Sequence, residues 1–221
     1  MTLRIPCADG LNRDRAVATA MAAVRRGDLV LMPTESVYAI ATDAFSRRGV
    51  GALRTAKGYD HLVPLSVMVG ARSTVTGIAA GVSDQAKALM EAFWPGPLTL
   101  LLAPQPTLAW DLPGAAPLAV RMPLHPLALA LLASSGPLVV TTANLPGMAA
   151  PTSVDDALEQ LGDGVALALD AGDLAGDPAL PSTVVDVTGT EPLVIRAGAV
   201  TQADIDRICP PARPDDGEAG A

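Results

Sequence analysis

The stretch L-V-L-M-P-T-E-S-V-Y-A-I-A, residues 29–41, decides what fold this chain is expected to adopt. A fully apolar run ends at Pro33 and a second one begins at Val37, as two buried strands would, with polar residues between them. In the segment before this stretch, apolar residues recur at the spacing of an amphipathic helix. The same alternation continues along the chain and predicts an α/β domain with a mixed sheet and helices on its faces.

Apolar runs and helical spacing also predict where the other strands and helices lie. Helices are expected at 12–26, 47–56, 83–93 and 126–133, and two more start at Ser153 and Thr201, where S-V-D-D and T-Q-A-D are similar to capping boxes. Strands are expected at 29–32, 37–41, 65–69, 98–103, 118–122, 138–142, 166–169, 183–187 and 193–195. Residues 1–209 are therefore predicted to form one domain, and the acidic, proline-rich residues 210–221 a disordered tail.

The composition narrows the class of protein. Half of the 221 residues are hydrophobic and 3% are aromatic, so the core is expected to consist of aliphatic side chains. The formal net charge of −8 repels phosphate backbones, so direct binding of nucleic acid is disfavoured. The two cysteines and two histidines lack the spacing of a zinc site, and two reduced thiols are favoured over a disulfide. With no signal sequence and no long apolar segment, a cytoplasmic protein without a membrane span is expected.

Three polar clusters lie at the ends of predicted strands. They are P-T-E-S-V-Y at 33–38, T-T-A-N-L-P-G at 141–147 and P-S-T-V-V-D at 181–186. Short hydroxyl and amide side chains at such positions leave room for a ligand and supply hydrogen-bond donors and acceptors. Because Lys57, Arg121 and Arg196 lie beside similar runs, the set predicts a pocket for a small, polar, anionic ligand.

Each of these residues also has a structural interpretation. The hydroxyls can cap local turns, Asn144 can stabilise a turn, and Lys57 can interact with the C-terminus of a helix. A guanidinium within or at the end of an apolar strand needs a partner of opposite charge. For Arg121 and Arg196 we favour a bound anion over an ion pair with a carboxylate of the chain. Neither G-x-x-x-x-G-K-[ST] nor G-x-G-x-x-G occurs in the sequence, so a nucleotide would be bound in another way. Structural roles are expected for His125, in a turn, and Trp94, in the core.

Taken in order, the motifs resemble those of the YrdC-type threonylcarbamoyl-AMP synthase family. The matching segments are P-T-E-S-V-Y-A-I-A-T-D-A at 33–44, A-K-G-Y at 56–59, P-L-S-V-M-V at 64–69, F-W-P-G-P-L-T-L at 93–100, V-R-M-P at 120–123, the two later polar clusters, and I-R-A-G at 195–198. The resemblance implies a three-layer fold with a twisted, mixed, mostly parallel sheet and a large concave cavity.

The resemblance also implies an activity, in which L-threonine, bicarbonate and ATP give threonylcarbamoyl-adenylate and pyrophosphate. Mg²⁺ would bridge the phosphates of ATP, and separate transfer proteins would use the product to form threonylcarbamoyladenosine on tRNA. Carboxylated threonine must attack the α-phosphate, so the site has to position the reactants and neutralise charge, without a nucleophilic side chain. By position, the implied threonine-binding residues are Thr34, Ser36, Arg121, Thr142 and Ser182, and the implied ATP-binding residues are Lys57, Asn144 and Arg196.

The chain departs from the family pattern at Ser36, Ala39, Ala41, Thr142, where the hydroxyl is kept, and Tyr59, and these departures predict weaker or altered activity. Ala39 and Ala41 stand where the family has glycine, and their methyl groups are expected to narrow the cavity. Tyr59 stands where an arginine is usual, and the loss of one charge-assisted phosphate contact costs about 1.5–3 kcal/mol. The nearest replacements for that arginine are Arg54 and His61. Two alternatives stay open, namely an enzyme of this fold that handles a different carbamoyl-adenylate and a non-catalytic module that binds nucleotide or RNA.

Overall fold

The strands predicted on either side of the P-T-E-S cluster pair antiparallel near the middle of a ten-stranded sheet. The computed structural model describes residues 1–7, 13–112, 116–174 and 180–211. The strands are β1 (Leu3–Pro6), β2 (Val30–Pro33), β3 (Tyr38–Asp43), β4 (Ser66–Met68), β5 (Leu98–Leu102), β6 (Leu118–Arg121), β7 (Leu138–Thr142), β8 (Leu167–Asp170), β9 (Thr183–Asp186) and β10 (Leu193–Arg196). The helices are α1 (Arg13–Arg25), α2 (Arg47–Lys57), α3 (Val75–Ile78), α4 (Asp84–Phe93), α5 (Pro126–Ser135), α6 (Val154–Leu161) and α7 (Gln202–Ile208). Residues 212–221, which make up most of the predicted disordered tail, lie outside the described residues.

The sheet is mixed, and its strand order is β1-β8-β2-β3-β7-β4-β6-β5-β9-β10. Among the described residues, four neighbouring pairs are parallel, namely β1–β8, β8–β2, β4–β6 and β5–β9, and five are antiparallel. The prediction of a mixed sheet is confirmed, but the expectation that it is mostly parallel is wrong. Short connections explain part of this difference, because the turn between β2 and β3 is too short to carry the chain back for a parallel pairing.

Side chains alternate along the strands and divide the core between the two faces of the sheet, as the three-layer prediction requires. On one face, α1 and α5 pack on apolar side chains of β2, β3, β7 and β8, with Ala20 and Leu131 fully buried. On the other face, α2, α4, α6 and α7 cover the alternate side chains, including Leu31. Trp94 is buried on this second face, as predicted. The core is otherwise mostly aliphatic, in agreement with the composition.

The helices α1 and α5 cover only half of the face on which they pack. Their apolar contacts extend to β7 and to Met68 of β4, whereas β6, β5 and β9 continue the sheet beyond them. At paired positions on this uncovered part, the strands carry small or polar side chains. Ser66 lies opposite Ala119, and Thr99 lies opposite Arg121. Since no described helix packs on these side chains, a concave space is left on the sheet.

Helix starts follow the sequence signals closely. Ser83 and Ser153 each accept a hydrogen bond from the backbone N–H three residues later, and Thr201 forms the complete reciprocal capping box with Asp204. At Ser153 the structure shows the serine half of the predicted box. Strand β1 was not predicted, because its side chains are largely exposed and give no apolar run. Cys7 follows β1, and Cys209 follows α7, where it is buried.

Candidate functional site

The space beside α1 and α5 is a cavity of about 250 Å³. Five of the eight residues predicted to bind ligand lie together in its wall, although they come from five separate parts of the chain: Thr34, Arg121, Thr142, Ser182 and Arg196. The other three predicted residues, Ser36, Lys57 and Asn144, are not among its lining residues. The rest of the lining consists of Val37, Ala39, Tyr59, Val63, Pro64, Leu65, Ser66, Met68, Thr99, Val140 and Thr141.

Arg121 is the most enclosed cation of the cavity. Its side chain is 13% exposed, its Nε donates to the carbonyl oxygen of Gly96 at 3.0 Å, and its Nη2 forms an ion pair with the carboxylate of Glu35. Burial and the positive charge of Arg196 lower the pKa of Arg121 to about 10. The guanidinium therefore stays protonated at neutral pH and can donate charge-assisted hydrogen bonds to a ligand inside the cavity.

Arg196 lies at the exposed rim, where it holds a small polar network. Its Nη2 donates to the carbonyl oxygen of Ser182 at 2.7 Å and to the hydroxyl of the same residue at 3.0 Å. That hydroxyl is in turn 3.0 Å from the hydroxyl of Thr99 on β5. The two cations thus differ in setting, since Arg121 is enclosed and paired while Arg196 faces solvent and is free to meet a larger anion.

The hydroxyls of Thr34 and Thr142 complete the polar wall on the side of β3 and β7. Thr34 donates to the carbonyl oxygen of Val37 at 2.6 Å and accepts from the Val37 N–H at 3.3 Å, so one lone pair of its hydroxyl is left as an acceptor. This bond is the local turn contact that the structural interpretation of Thr34 expected. Thr142 lies opposite Ala39 in the sheet, and its side chain is exposed. The methyl group of Ala39 lines the cavity as expected, whereas Ala41 is buried beneath the helices and does not narrow it.

Lys57 does not line the cavity, but it supports the backbone that forms part of the cavity wall. It is 1% exposed, and its Nζ donates to the carbonyl oxygen of Thr142 at 2.7 Å, to the carbonyl oxygen of Asn144, and to Asn144 Oδ1 at 3.4 Å. Burial lowers the pKa of Lys57 to about 8. Asn144 Nδ2 donates to the carbonyl oxygen of Met148 at 2.7 Å, which is the predicted turn contact. Lys57 and Asn144 therefore fix the path of the chain after β7.

Tyr59 occupies the cavity wall where the family pattern has an arginine. Its ring centroid lies 5.4 Å from Lys57 Nζ. Arg54 does not replace the arginine, because its Nη1 donates to the carbonyl oxygens of Asp60 at 2.6 Å and Val63 at 2.9 Å and it is not among the lining residues. His61 is exposed and contacts the Asp60 carboxylate. The 59–63 segment thus contributes an aromatic ring to the cavity, and none of its described residues contributes a cation.

Sequence reasoning missed three contributors to the site. Glu35 pairs with Arg121, and its signal is the acidic residue at the centre of the P-T-E-S cluster. Ser66 and Thr99 line the cavity from the middle of strands. Both residues belong to motifs of the sequence, P-L-S-V-M-V and P-L-T-L. The sequence does not indicate, however, that their hydroxyls face a cavity.

A glycine is required at position 198, in I-R-A-G, because two segments of backbone approach each other closely there. A Cβ at this position would lie 2.2 Å from the carbonyl oxygen of Pro181 and 2.6 Å from the backbone of Ser182 and Thr183. The backbone at 198 therefore packs directly on the segment that carries Ser182. Thr183 adds a hydrogen bond from its hydroxyl to the carbonyl oxygen of Val200 at 2.6 Å. His125 has the predicted structural role, since its Nδ1 accepts from the N–H of Leu127 at 3.3 Å at the start of α5.

The arrangement suits binding and charge neutralisation. The lining offers hydroxyls and two guanidinium groups, and no carboxylate is among its described residues. In the described ranges there is no group of three or more His, Cys, Asp or Glu side chains that could hold a metal ion. Every helix in the described part of the chain is too short or too polar to cross a lipid bilayer.

Comparison with known proteins gives relatives over most of the chain. Residues 22–198 match the Sua5, YciO and YrdC family model, which is described as "Telomere recombination". A protein of Mycobacterium tuberculosis named "Putative threonylcarbamoyl-AMP synthase" is 42% identical over 209 residues, which are 94% of this chain and 95% of that protein. The threonylcarbamoyl-AMP synthase of Bacillus subtilis is 33% identical over 207 residues, 92% of this chain and 59% of that protein.

Two solved structures show the same fold. Sua5 of Pyrococcus abyssi, in a complex with L-threonine, superposes with a TM-score of 0.85 and 28% identity over 95% of this chain and 61% of that one. The chain therefore spans about three fifths of the length of that protein. E. coli YciO superposes with a TM-score of 0.76 and 25% identity, over 90% of this chain and 96% of that one. Since the family model covers residues 22–198, which include the strands that build the cavity and helix α5 beside it, the chain belongs to the Sua5/YciO/YrdC family.

Proposed function

We propose that this protein is a threonylcarbamoyl-AMP synthase that converts L-threonine, bicarbonate and MgATP to threonylcarbamoyl-adenylate and pyrophosphate. The observation that carries the proposal is the position of two cations, Arg121 and Arg196, on one cavity whose wall is otherwise hydroxyls and apolar groups. Relatives named as threonylcarbamoyl-AMP synthases and the threonine complex of the Pyrococcus abyssi protein support it.

The reaction requires two bonds to form in sequence. The amine of threonine joins the carbon of bicarbonate with loss of water and gives a carbamate. A carbamate oxygen then attacks the α-phosphorus of ATP, and the bond to the β-phosphate breaks so that pyrophosphate leaves. Negative charge accumulates on the phosphate oxygens, so cations fixed in advance are the main help that a protein can give.

The two ends of the cavity suit the two substrates. The enclosed end is formed by Arg121, Thr34 and Thr142, and we assign it to threonine, with the carboxylate on Arg121. At about 250 Å³ the cavity lies below the range of about 300–1,000 Å³ common for ligand sites, so most of the nucleotide would lie along the rim. Arg196 is exposed there and would meet the phosphates. Ser182 lies between the ends, and Ser36 stays a predicted threonine contact.

Lys57 and Asn144, which were predicted to bind ATP, would act mainly through the backbone that they hold. Their mutual contacts fix the chain after Thr142, where the nucleotide would pass. Mg²⁺ would enter as part of MgATP. The product would pass to separate transfer proteins that act on tRNA, and we place the enzyme in the cytoplasm for that reason.

The proposal is tested by incubating the purified protein with ATP, Mg²⁺, bicarbonate and one amino acid at a time. We expect pyrophosphate release and an adenylate of the mass of threonylcarbamoyl-AMP with L-threonine, and much less of either with L-serine, L-alanine or L-valine. Omission of bicarbonate should abolish the adenylate. Pyrophosphate release that does not depend on threonine, or that is fastest with another amino acid, would contradict the proposal.

A further inference from the structure

The contact between Glu35 and Arg121 joins two distant parts of the molecule. Glu35 belongs to the turn between β2 and β3, and Arg121 ends β6, with β7 and β4 between these strands in the sheet. The second carboxylate oxygen of Glu35 accepts from the backbone N–H of Leu124 at 3.3 Å. The side chain of Glu35 is 21% exposed. The carboxylate is therefore fixed by two partners and lies against the cation that lines the cavity.

Arg121 keeps donors for a ligand in this arrangement. A guanidinium has five N–H groups. One on Nε is used by Gly96 and one on Nη2 by Glu35, and among the described residues Nη1 has no acceptor. A carboxylate that binds the remaining donors would lie within about 4–6 Å of Glu35, a distance at which one charge shifts the energy of another.

We infer that Glu35 determines which anions Arg121 accepts, by favouring a zwitterionic amino acid over a simple anion. The inference rests on the proposed function, in which Arg121 meets the carboxylate of threonine. A simple anion is attracted by Arg121 and repelled by Glu35, so the two charges largely cancel. A zwitterion of net charge zero places its carboxylate toward Arg121 and its ammonium toward the negative side of the pair, so both ends gain. The same repulsion keeps the phosphates of ATP from Arg121 and leaves them to Arg196.

The test compares L-threonine with (R)-3-hydroxybutanoate, which is threonine without its amino group, and with inorganic pyrophosphate. Dissociation constants are measured by calorimetry for the natural protein, Glu35→Gln and Glu35→Asp. The glutamine keeps the shape and removes the charge, so we expect about tenfold tighter binding of 3-hydroxybutanoate and pyrophosphate, and a change of less than about threefold for threonine. Glu35→Asp keeps the charge and should keep the natural preference.

Matched controls separate this effect from changes of fold and of total charge. Glu159→Gln removes one negative charge from an exposed position on α6, on the opposite face of the sheet, and should leave all three constants unchanged. Thermal unfolding of each variant checks the fold, and Glu35→Ala provides a second neutral variant if Glu35→Gln does not fold.

The outcomes distinguish the two proposals. If threonine binds the natural protein but Glu35→Gln leaves the ratio of the threonine and 3-hydroxybutanoate constants unchanged, the inference is wrong and the proposed function stands. Equal weakening of all ligands also overturns the inference, because Glu35 would then merely hold Arg121 in place. If no amino acid binds, the proposed function fails, and the pyrophosphate measurement alone decides whether Glu35 controls Arg121.

Discussion

Two regions of one sheet face differ sharply. The covered half, formed by β8, β2, β3 and β7, lies beneath α1 and α5, and its side chains are apolar and mostly inaccessible to water. The open half, formed by β4, β6, β5 and β9, carries Ser66, Thr99 and Arg121 toward the cavity. In both halves, successive side chains along a strand point to opposite faces of the sheet. In the open half, small polar side chains stand where apolar side chains would allow a helix to pack. The cavity exists for this reason.

The polar groups of the open half also satisfy one another. Thr99 contacts Ser182, Ser182 accepts from Arg196, and Arg121 is held by Gly96 and Glu35. Because these partners come from the protein, the open half can fold without a ligand. The covered half therefore contributes mainly to stability and the open half mainly to binding, and substitutions can test this division.

The largest effect is expected from the two arginines of the open half. Arg121→Ala should weaken L-threonine binding by about tenfold to a hundredfold, because it removes charge-assisted donors from an enclosed site. Arg196→Ala should weaken ATP binding by less, since its guanidinium is exposed. In both variants binding should suffer more than folding, as measured by calorimetry and thermal unfolding. A variant that melts much lower yet binds normally would show that its arginine has a structural role.

A matched pair of leucine substitutions separates the two halves directly. Ala20 of α1 is 0% exposed, so Ala20→Leu should overpack the covered half and cost about 1–3 kcal/mol of stability with unchanged affinity. Ser66→Leu places a side chain of the same size in the cavity and should change stability by less than about 1 kcal/mol while it weakens threonine binding at least about tenfold. Denaturant unfolding and ligand titration of both variants provide the readouts. Equal losses of stability would mean that the open half is ordinary core.

A smaller gain is expected at Tyr59, on the wall of the open half. Tyr59→Arg should raise pyrophosphate release about tenfold at limiting ATP, because one charge-assisted phosphate contact is restored. The increase in rate should depend on the ATP concentration, and the dissociation constant of threonine should stay unchanged. Tyr59→Phe, which keeps the ring beside Lys57, is the control and should leave the rate unchanged. If Tyr59→Arg folds but gains nothing, the aromatic ring is part of the natural site and the missing arginine does not limit the reaction.

The smallest effect concerns Lys57, which supports the open half from a buried position. Its pKa in the folded protein, about 8, lies below the ordinary value of 10.5, so the unfolded chain holds more protons between these two values. Stability from this group should therefore rise with pH above about 8, by about 1 kcal/mol from pH 8 to 9. Unfolding free energies at pH 7, 8 and 9 should show this rise in the natural protein and in Lys87→Met, but not in Lys57→Met. An identical pH dependence in all three would place the Lys57 pKa near its ordinary value.

Much of this architecture was readable from the sequence, because strand ends have local signals. Strand β7 lies at the predicted residues 138–142, and the three polar clusters meet in space as expected. Thr34, Arg121 and Ser182 were identified because each stands where an apolar run begins or ends, a position that few purely structural residues need.

The rest depended on contacts between distant segments. Which strands become neighbours is decided by the packing of the whole chain, so the share of parallel pairs was overestimated. Glu35 could not be assigned, since its partner Arg121 is far along the sequence and nothing local indicates their meeting. Lys57 shows the opposite case: the family resemblance implied ATP binding, but in the folded chain its ammonium group donates to backbone carbonyl oxygens.

The order of the first strands has a consequence for how the chain folds as it is made. Both β1 and β2 pair with β8, which lies between them in the sheet, although β8 is not synthesised until residues 167–170. Until then the N-terminal strands have one edge without its partner, and the cavity lacks the segments that carry Ser182 and Arg196. Pairings this distant in sequence slow folding and leave strand edges open to other chains. The first strands of the nascent chain would thus stay unprotected until β8 has been made, and the chain would become able to bind ligand only after the segments of Ser182 and Arg196 have been added.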